Sequence, residues 1–192
     1  GTDYAKYTVR DGFRTGTQSP PPADPLNIQL DTDYIPTITD QPNAQLYGTI
    51  ENADGEATLT LSSPLEEKNI QLQNGYFSES IGLTTGENTV TATVTDSTGA
   101  TSTDTIEITY DSTTPTSTPA SLNPYDEVLP GAPMQATVTT TDTETTVESV
   151  TVDGNELTQQ TDGTWVGPTP AATTNGIHSA TVAVTDSAGN TE

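Results

Sequence analysis

Short runs in which apolar and polar residues alternate recur along the chain, and TVTATVT (89–95) and TIEITY (105–110) are the clearest. A period of two puts successive side chains on opposite faces of a pleated strand, so these runs predict strands with one buried face. Thr, Val and Ile fill them, residues whose branched Cβ suits a pleated, half-buried surface. No amphipathic helical stretch of comparable length appears. Gly, Asn and Asp break the runs at short intervals, which predicts an all-β chain of short strands joined by tight turns.

The strand pattern occurs twice. GENTVTATVTDSTGA (86–100) returns as GIHSATVAVTDSAGN (176–190), an offset of 90 residues between Gly86 and Gly176. Upstream, NGYF (74–77) corresponds to DGTW (162–165) and LYGTI (46–50) to MQATV (134–138). Self-similarity at this spacing marks two copies of one small unit. The plan resembles the bacterial and archaeal immunoglobulin-like repeats of surface adhesins, stalks and filament proteins, whose penultimate strand and following turn read G-x-N-x-V-x-V-x-V-x-D-x-x-G-N. The matching residues are Gly86, Asn88, Val90, Val94, Asp96 and Gly99, then Gly176, Val182, Val184, Asp186, Gly189 and Asn190, with His178 in place of the Asn in the second copy. The resemblance covers residues 34–192 and implies two tandem immunoglobulin-like β-sandwiches. It does not by itself assign a function.

The two copies end differently. After VTDSTGA the first continues into TSTDTIEITYD (101–111), a closing strand with Ile106, Ile108 and Tyr110 on one face. The second copy reaches only VTDSAGNTE (184–192). A sandwich without its closing strand exposes an unpaired edge beside an apolar groove. At the other end of the chain TDYAKYTVRD (2–11) resembles that closing strand and places Ala5, Tyr7 and Val9 on one face. The expected organisation is therefore a donor-type strand (1–11), a Pro-rich linker (12–33), a first domain (34–111), a second linker (112–124) and a second domain lacking its final strand (125–192). Three arrangements satisfy it: insertion into the next of a head-to-tail series of identical subunits, folding back within one chain, or excision of one repeat from a long polyprotein. A short strand from Leu26, Ile28 and Leu30 is expected to dock just before the first domain.

Composition narrows the function. Twenty-seven acidic residues face four basic ones, a formal net charge of -23, which excludes a nucleic-acid partner because phosphate binding needs clustered Lys and Arg. A strongly acidic, Lys-poor surface stays hydrated in salt and suits an extracellular, cell-surface setting. The chain has no Cys, hence no disulfide framework. No apolar run approaches the roughly 20 residues that cross a bilayer, no signal peptide opens the chain, and a Gly in place of Met implies processing or excision. The expectation is a non-enzymatic structural subunit, with a stalk repeat of an adhesin or an accessory domain of a polysaccharide-active enzyme as the competing readings, and with a surface glycan or a host cell as a further contact.

Calcium is the one cofactor the residues suggest, since hard cations take carboxylate and carbonyl oxygens. Asp31 and Asp33 precede the first domain, Asp96 and Asp111 sit at its turn and exit, and Asp186 with Asp11 are their counterparts at a joined interface; no EF-hand spacing accompanies them. His178, the sole histidine, lacks the partners a metal or triad site needs. Trp165 and Phe77 occupy matching strand positions as core aromatics, with a sugar contact at Trp165 as the alternative. Glu66 and Glu67 read as a solvated pair, and Lys6, opposite in phase to Ala5 and Tyr7, faces solvent and forms no isopeptide bond. The Thr and Ser of 112–124 suit O-glycosylation.

Overall fold

The computed structural model describes residues 24–72, 75–122, 131, 134–171, 173–174 and 179–192. Ala5, Tyr7, Val9, Asp11 and His178 lie outside them. The described chain is all β.

In the first sandwich one sheet holds β1 (Asn27–Leu30), β3 (Asn43–Glu51) and β6 (Tyr76–Gly82) in the order β1-β3-β6. The other holds β2 (Ile38–Thr39), β4 (Thr58–Ser62), β5 (Glu67–Gln71), β7 (Gly86–Thr95) and β8 (Thr101–Tyr110) in the order β2-β8-β7-β4-β5. The alternation read from sequence is realised literally: burial along β3 switches at every residue, and Val90, Ala92 and Val94 of β7 point inward between exposed or half-buried threonines. Leu46, Leu59, Leu61, Ile81, Val90, Val94 and Ile108 are fully buried between the sheets. Each such aliphatic side chain contributes about 1.5–3 kcal/mol relative to leaving it in water. Gly48 is required by this packing, because a Cβ there would meet the Phe77 ring at 2.6 Å and the Gln29 carbonyl oxygen at 2.7 Å.

One buried polar side chain ties the closing hairpin. Asn88 on β7 donates from Nδ2 to the carbonyl oxygens of Thr84 (2.7 Å), Gly86 (2.8 Å) and Ile108 (3.3 Å), while its Oδ1 accepts from the Thr84 N–H at 2.8 Å. Its donors and acceptor are thus used inside the protein, as burial requires.

The second sandwich repeats the plan with fewer partners. β9 (Thr116–Leu122), β10 (Met134–Thr141), β13 (Thr158–Gln159) and β14 (Trp165–Thr169) form one sheet, ordered β13-β14-β10-β9. β11 (Val147–Val152), β12 (Asn155–Glu156) and β15 (Val182–Asp186) form the other, ordered β12-β11-β15. Ala136, Val138, Val150, Val152, Leu157, Trp165 and Val184 make its core. β7 of the first sandwich runs between β4 and β8, whereas among the strands of the described residues only β11 lies beside β15. On its other side the described residues supply a bridge, Thr185 to Thr191, and bonds from the Glu192 N–H to the Val184 carbonyl oxygen (3.0 Å) and from the Asp186 N–H to the Asn190 carbonyl oxygen (3.1 Å).

Two boundaries differ from the sequence reading. Residues 27–30 belong to the first sandwich and not to a linker reaching 33, because β1 pairs with β3 and buries Ile28 and Leu30. Likewise β9 takes residues 116–122 out of the expected second linker, leaving 112–115 as the connection. The short strand expected of Leu26, Ile28 and Leu30 is β1, now part of the first sheet, whereas Pro and Thr made 116–122 look like a spacer, although edge strands tolerate Pro.

Replacing Asn88 with Ala strands the Thr84 N–H and the Gly86 and Ile108 carbonyls, and is expected to destabilise the first sandwich by about 2–4 kcal/mol. Urea unfolding followed by tyrosine fluorescence checks this, and a loss below about 1 kcal/mol contradicts the buried network.

Candidate functional site at the junction of the sandwiches

β8 passes into the second sandwich through Asp111, a fully buried residue. Its N–H donates to the Thr39 carbonyl oxygen (3.0 Å), extending the parallel pairing of β2 with β8, so its backbone is fixed by the first sandwich. Its other groups face the second. Oδ2 accepts from the Thr145 hydroxyl (2.6 Å), and the carbonyl oxygen accepts from Asn190 Nδ2 (3.0 Å). Oδ1 accepts from the N–H (2.8 Å) and hydroxyl (2.7 Å) of Thr113, and that hydroxyl also lies 2.8 Å from Glu144 Oε2. Pro115, at the end of the connection, is buried.

Two loops of the second sandwich complete the site. The turn after β15 is closed by Asp186, fully buried, whose Oδ1 accepts from the N–H groups of Ala188 (2.8 Å) and Asn190 (2.9 Å); Gly189 supplies the φ of +97° the turn requires. Asn190 Nδ2 also donates to Asp186 Oδ2 at 2.9 Å. The loop between β10 and β11 is closed by Asp142, whose Oδ1 accepts from the N–H groups of Glu144 (3.2 Å) and Thr145 (3.0 Å). Asp142 Oδ2 is buried and accepts nothing among the described residues.

One oxygen from each of Asp111, Asp142 and Asp186 falls within 4.8 Å of the others. Burial pushes the Asp111 carboxyl up, but the Thr145 and Thr113 hydroxyls and the Thr113 N–H outweigh it and hold the group below the ordinary Asp value of 3.8. No cation stands nearby among the described residues. Lys68 is their only basic residue, and it is engaged on β5, 3.1 Å from Glu66 Oε1 and 2.6 Å from the Ser80 carbonyl oxygen.

Of the acids singled out in the sequence, Asp111 and Asp186 come together here. Asp142 was missed, although the correspondence of LYGTI with MQATV aligns it with Asp54 of the first copy. Asp96 closes the turn after β7 as Asp186 closes that after β15, with Oδ1 accepting from the N–H groups of Thr98 and Ala100 (2.9 Å each). Ala100, however, stands where Asn190 does, and Asp96 lies in the first sandwich beside Asp54, which accepts from the N–H (3.0 Å) and hydroxyl of Ser97. Asp31 and Asp33 are exposed and line a separate groove of about 290 Å³ with Gln29, Thr32 and Thr49, because the backbone of Asp31 is held beside β3 by its bond to the Tyr47 carbonyl oxygen. Trp165 is buried, which removes it as a sugar platform. The exposed aromatic surface lies instead on the outer face of β3 and β6, where Tyr47 and Tyr76 are diagonal neighbours and the Tyr34 ring meets Tyr47 edge-on at 6.4 Å.

No protein-family profile matches the chain, and neither does any curated sequence. Its fold is similar to that of the fibronectin(III)-like modules of Clostridium thermocellum CbhA, at 13% identity over 85% of this chain and 88% of that one, with a TM-score of 0.50. It is also similar to a 1.5-MDa bacterial ice-binding adhesin (18% identity, 88% of this chain, TM-score 0.42) and to a tetra-tandem repeat from the extending region of a large adhesion protein (21% identity, 86% of this chain, TM-score 0.32). The chain spans 62% and 46% of the length of those two. The fold is that of tandem immunoglobulin-like or fibronectin(III)-like β-sandwiches.

The turn acids carry a pH signature. The Thr98 hydroxyl bond is the largest influence on Asp96, and with the N–H bonds of Thr98, Gly99 and Ala100 it holds the carboxyl below 3.8 against the opposing effect of burial. A depressed folded value means that the unfolded chain binds the proton first, so the stabilisation is complete above the unfolded pKa and is lost as pH falls through the folded one. Asp96→Asn keeps the acceptor and removes the charge. It is expected to be less stable than the parent at neutral pH and to converge with it as pH falls through the depressed folded value; urea midpoints from neutral to acid pH test this, and a constant difference contradicts it.

Proposed function

We propose that the chain is a structural, non-catalytic pair of modules joined in series within an extracellular cell-surface filament or stalk. The observation that carries this reading is the connection itself. Residues 112–115 are bracketed by Asp111, bonded to both sandwiches, and by buried Pro115, so the modules are joined by a short tie and not by a flexible tether. An acidic surface with little Lys suits such a spacer, because it resists nonspecific association. No helix among the described residues is long and apolar enough to cross a membrane.

Extension of the series proceeds by β-strand addition at the free side of β15. An unpaired edge is a template for another strand. The second core also holds the Trp165 indole N–H without an acceptor among the described residues. The proposed donor is the N-terminal strand of an identical subunit, with Ala5, Tyr7 and Val9 facing the core, which makes a head-to-tail contact that does not close on itself. Electron microscopy of the chain is expected to show fibres that disappear on removal of residues 1–11 or on Tyr7→Asp, while circular dichroism remains that of a folded β protein. Fibres that survive both changes would refute strand donation.

A second reading, retention of a neutral polysaccharide, is favoured by the exposed Tyr34, Tyr47 and Tyr76 beside Gln29 and Gln45, since aromatic faces and amides suit sugar rings. It predicts retardation of the chain in gels containing a soluble neutral glucan, abolished by Tyr47→Ala with Tyr76→Ala. Unretarded migration of the parent removes it.

A further inference from the structure

A sheet edge left open pairs with any strand that reaches it, including the same strand of another copy. The three-stranded sheet of the first sandwich has two such edges, β1 and β6. The phase of β6 is fixed at its ends, where the Gly75 carbonyl oxygen accepts from the Ile50 N–H (2.7 Å) and the Leu83 N–H donates to the Pro42 carbonyl oxygen (2.9 Å). Odd-numbered residues therefore bond to β3, and the N–H and C=O groups of Tyr76, Ser78, Ser80 and Gly82 point away from it. Side chains of the facing sheet already occupy the far end of that outward row. The Gly82 N–H donates to Glu66 Oε1, the Gly82 carbonyl oxygen accepts from the Ser63 hydroxyl (2.7 Å), and the Ser80 carbonyl oxygen accepts from Lys68 Nζ (2.6 Å). Lys68 Nζ also lies 3.1 Å from Glu66 Oε1, which ties two of the caps into one unit. At the opposite edge the Ile28 N–H donates to Ser102 Oγ (3.3 Å) and the Leu30 N–H to Asp104 Oδ2 (2.8 Å), so β8 seals β1 in the same way.

The second sandwich closes the same stretch by other means. In the correspondence of NGYF with DGTW, Tyr76 and Ser78 match Thr164 and Val166, while Ser80 and Gly82 match Pro168 and Pro170. β13 covers Thr164 and Val166: Thr158 stands opposite Val166, and the Gln160 N–H donates to the Thr164 carbonyl oxygen (2.7 Å). Pairing runs no further along β14, because Pro168 and Pro170 have no N–H to give. β6 contains no proline, and no strand among the described residues lies on its outer side. The position beside it thus accepts a strand in one copy of the fold, and in the other only the caps stand in the way.

We propose that Glu66 and Lys68 lock a lateral interface: they bar β6 from pairing with β6 of a second copy of this chain, and their removal opens that contact. A second copy fits because an antiparallel contact between two β6 strands is isologous, the same residues serving on both sides. While the lock is closed, an arriving strand has to displace Lys68 from two acceptors and strip the half-buried Glu66 carboxylate of both its donors. Side-by-side association is therefore disfavoured by the very groups that satisfy the edge. The lock lies in the first sandwich and acts whether or not β15 of the second takes a donated strand. Where copies do join end to end, it keeps the series one subunit wide.

The full 192-residue chain is compared with its Glu66→Ala, Lys68→Met double variant by analytical ultracentrifugation and amide hydrogen exchange over a series of concentrations. End-to-end contacts are common to both, so a difference between them reports the edge. At low concentration the Gly82 amide of the variant is expected to exchange about tenfold faster or more, its acceptor being gone. As concentration rises, the mean mass of the variant should climb above that of the parent while the Ser78, Ser80 and Gly82 amides become protected. Lys68→Arg, which keeps a donor for the Ser80 carbonyl oxygen, should match the parent. A folded double variant with the mass of the parent at every concentration overturns the proposal. So does extra mass accompanied by protection at the other exposed edge, β5, and not at β6, or association of Lys68→Arg as strong as that of the double variant. If circular dichroism shows that the double variant has lost its fold, Lys68→Met alone decides. It frees the Ser80 carbonyl oxygen and leaves Glu66 on Gly82, and is expected to associate more weakly than an open edge but more than the parent; parental mass overturns the lock.

Discussion

Asp111 belongs to both sandwiches at once, and the rest of the arrangement depends on that. Its N–H completes the pairing of β2 with β8, while its carbonyl and carboxylate oxygens are taken by Asn190 and Thr145 of the second module. A residue held on both sides transmits orientation, because neither module can turn about the connection without breaking bonds in the other. The buried charge this places at the joint costs solvation free energy, and the ring of hydroxyl and N–H donors around it offsets some of that cost.

The two modules show how little sequence separates a free turn from a joint. Asp96 and Asp186 close turns of the same form, each with Oδ1 accepting from N–H groups two and four residues on, and each followed by a left-handed glycine, Gly99 and Gly189. The repeated VTDS(T/A)G sequence specifies that backbone and nothing beyond it. The difference lies one position later, where Ala100 presents a methyl group and Asn190 an amide that reaches the neighbouring module. Duplication thus supplied the scaffold, and a single polar side chain directs it to a partner.

Much of the fold was legible because it depends on local patterning. The alternation of TVTATVT against TIEITY fixed both strands and their inward faces, and the repeated NGYF and DGTW located the paired core aromatics Phe77 and Trp165. What escaped depends on contacts distant in sequence. β9 lies in a Pro- and Thr-rich stretch that reads as a spacer, and only its pairing with β10 makes it a strand. Asp142 sits in TTTDTETT, a stretch with no apolar period, and its meaning comes from Asp111, 31 residues earlier. Asp31 and Asp33 looked equivalent to Asp111 by residue type and position near a domain edge, but the β1–β2 connection turns them to a solvent-facing groove.

The parallel pairing of β2 with β8 also determines how the first module meets a pull along the chain. The connection to the second sandwich leaves from the end of β8, while the chain enters from the side of β1 and β2. Ile38 opposite Thr109, Thr39 opposite Tyr110, and the bonds to the carbonyls of Thr37 and Thr39 lie side by side across that direction. Tension then shears the row as a unit, in contrast to an antiparallel hairpin pulled open from its free end, whose bonds break in succession. The short patch where β2 meets β8 is thus loaded in shear and not peeled.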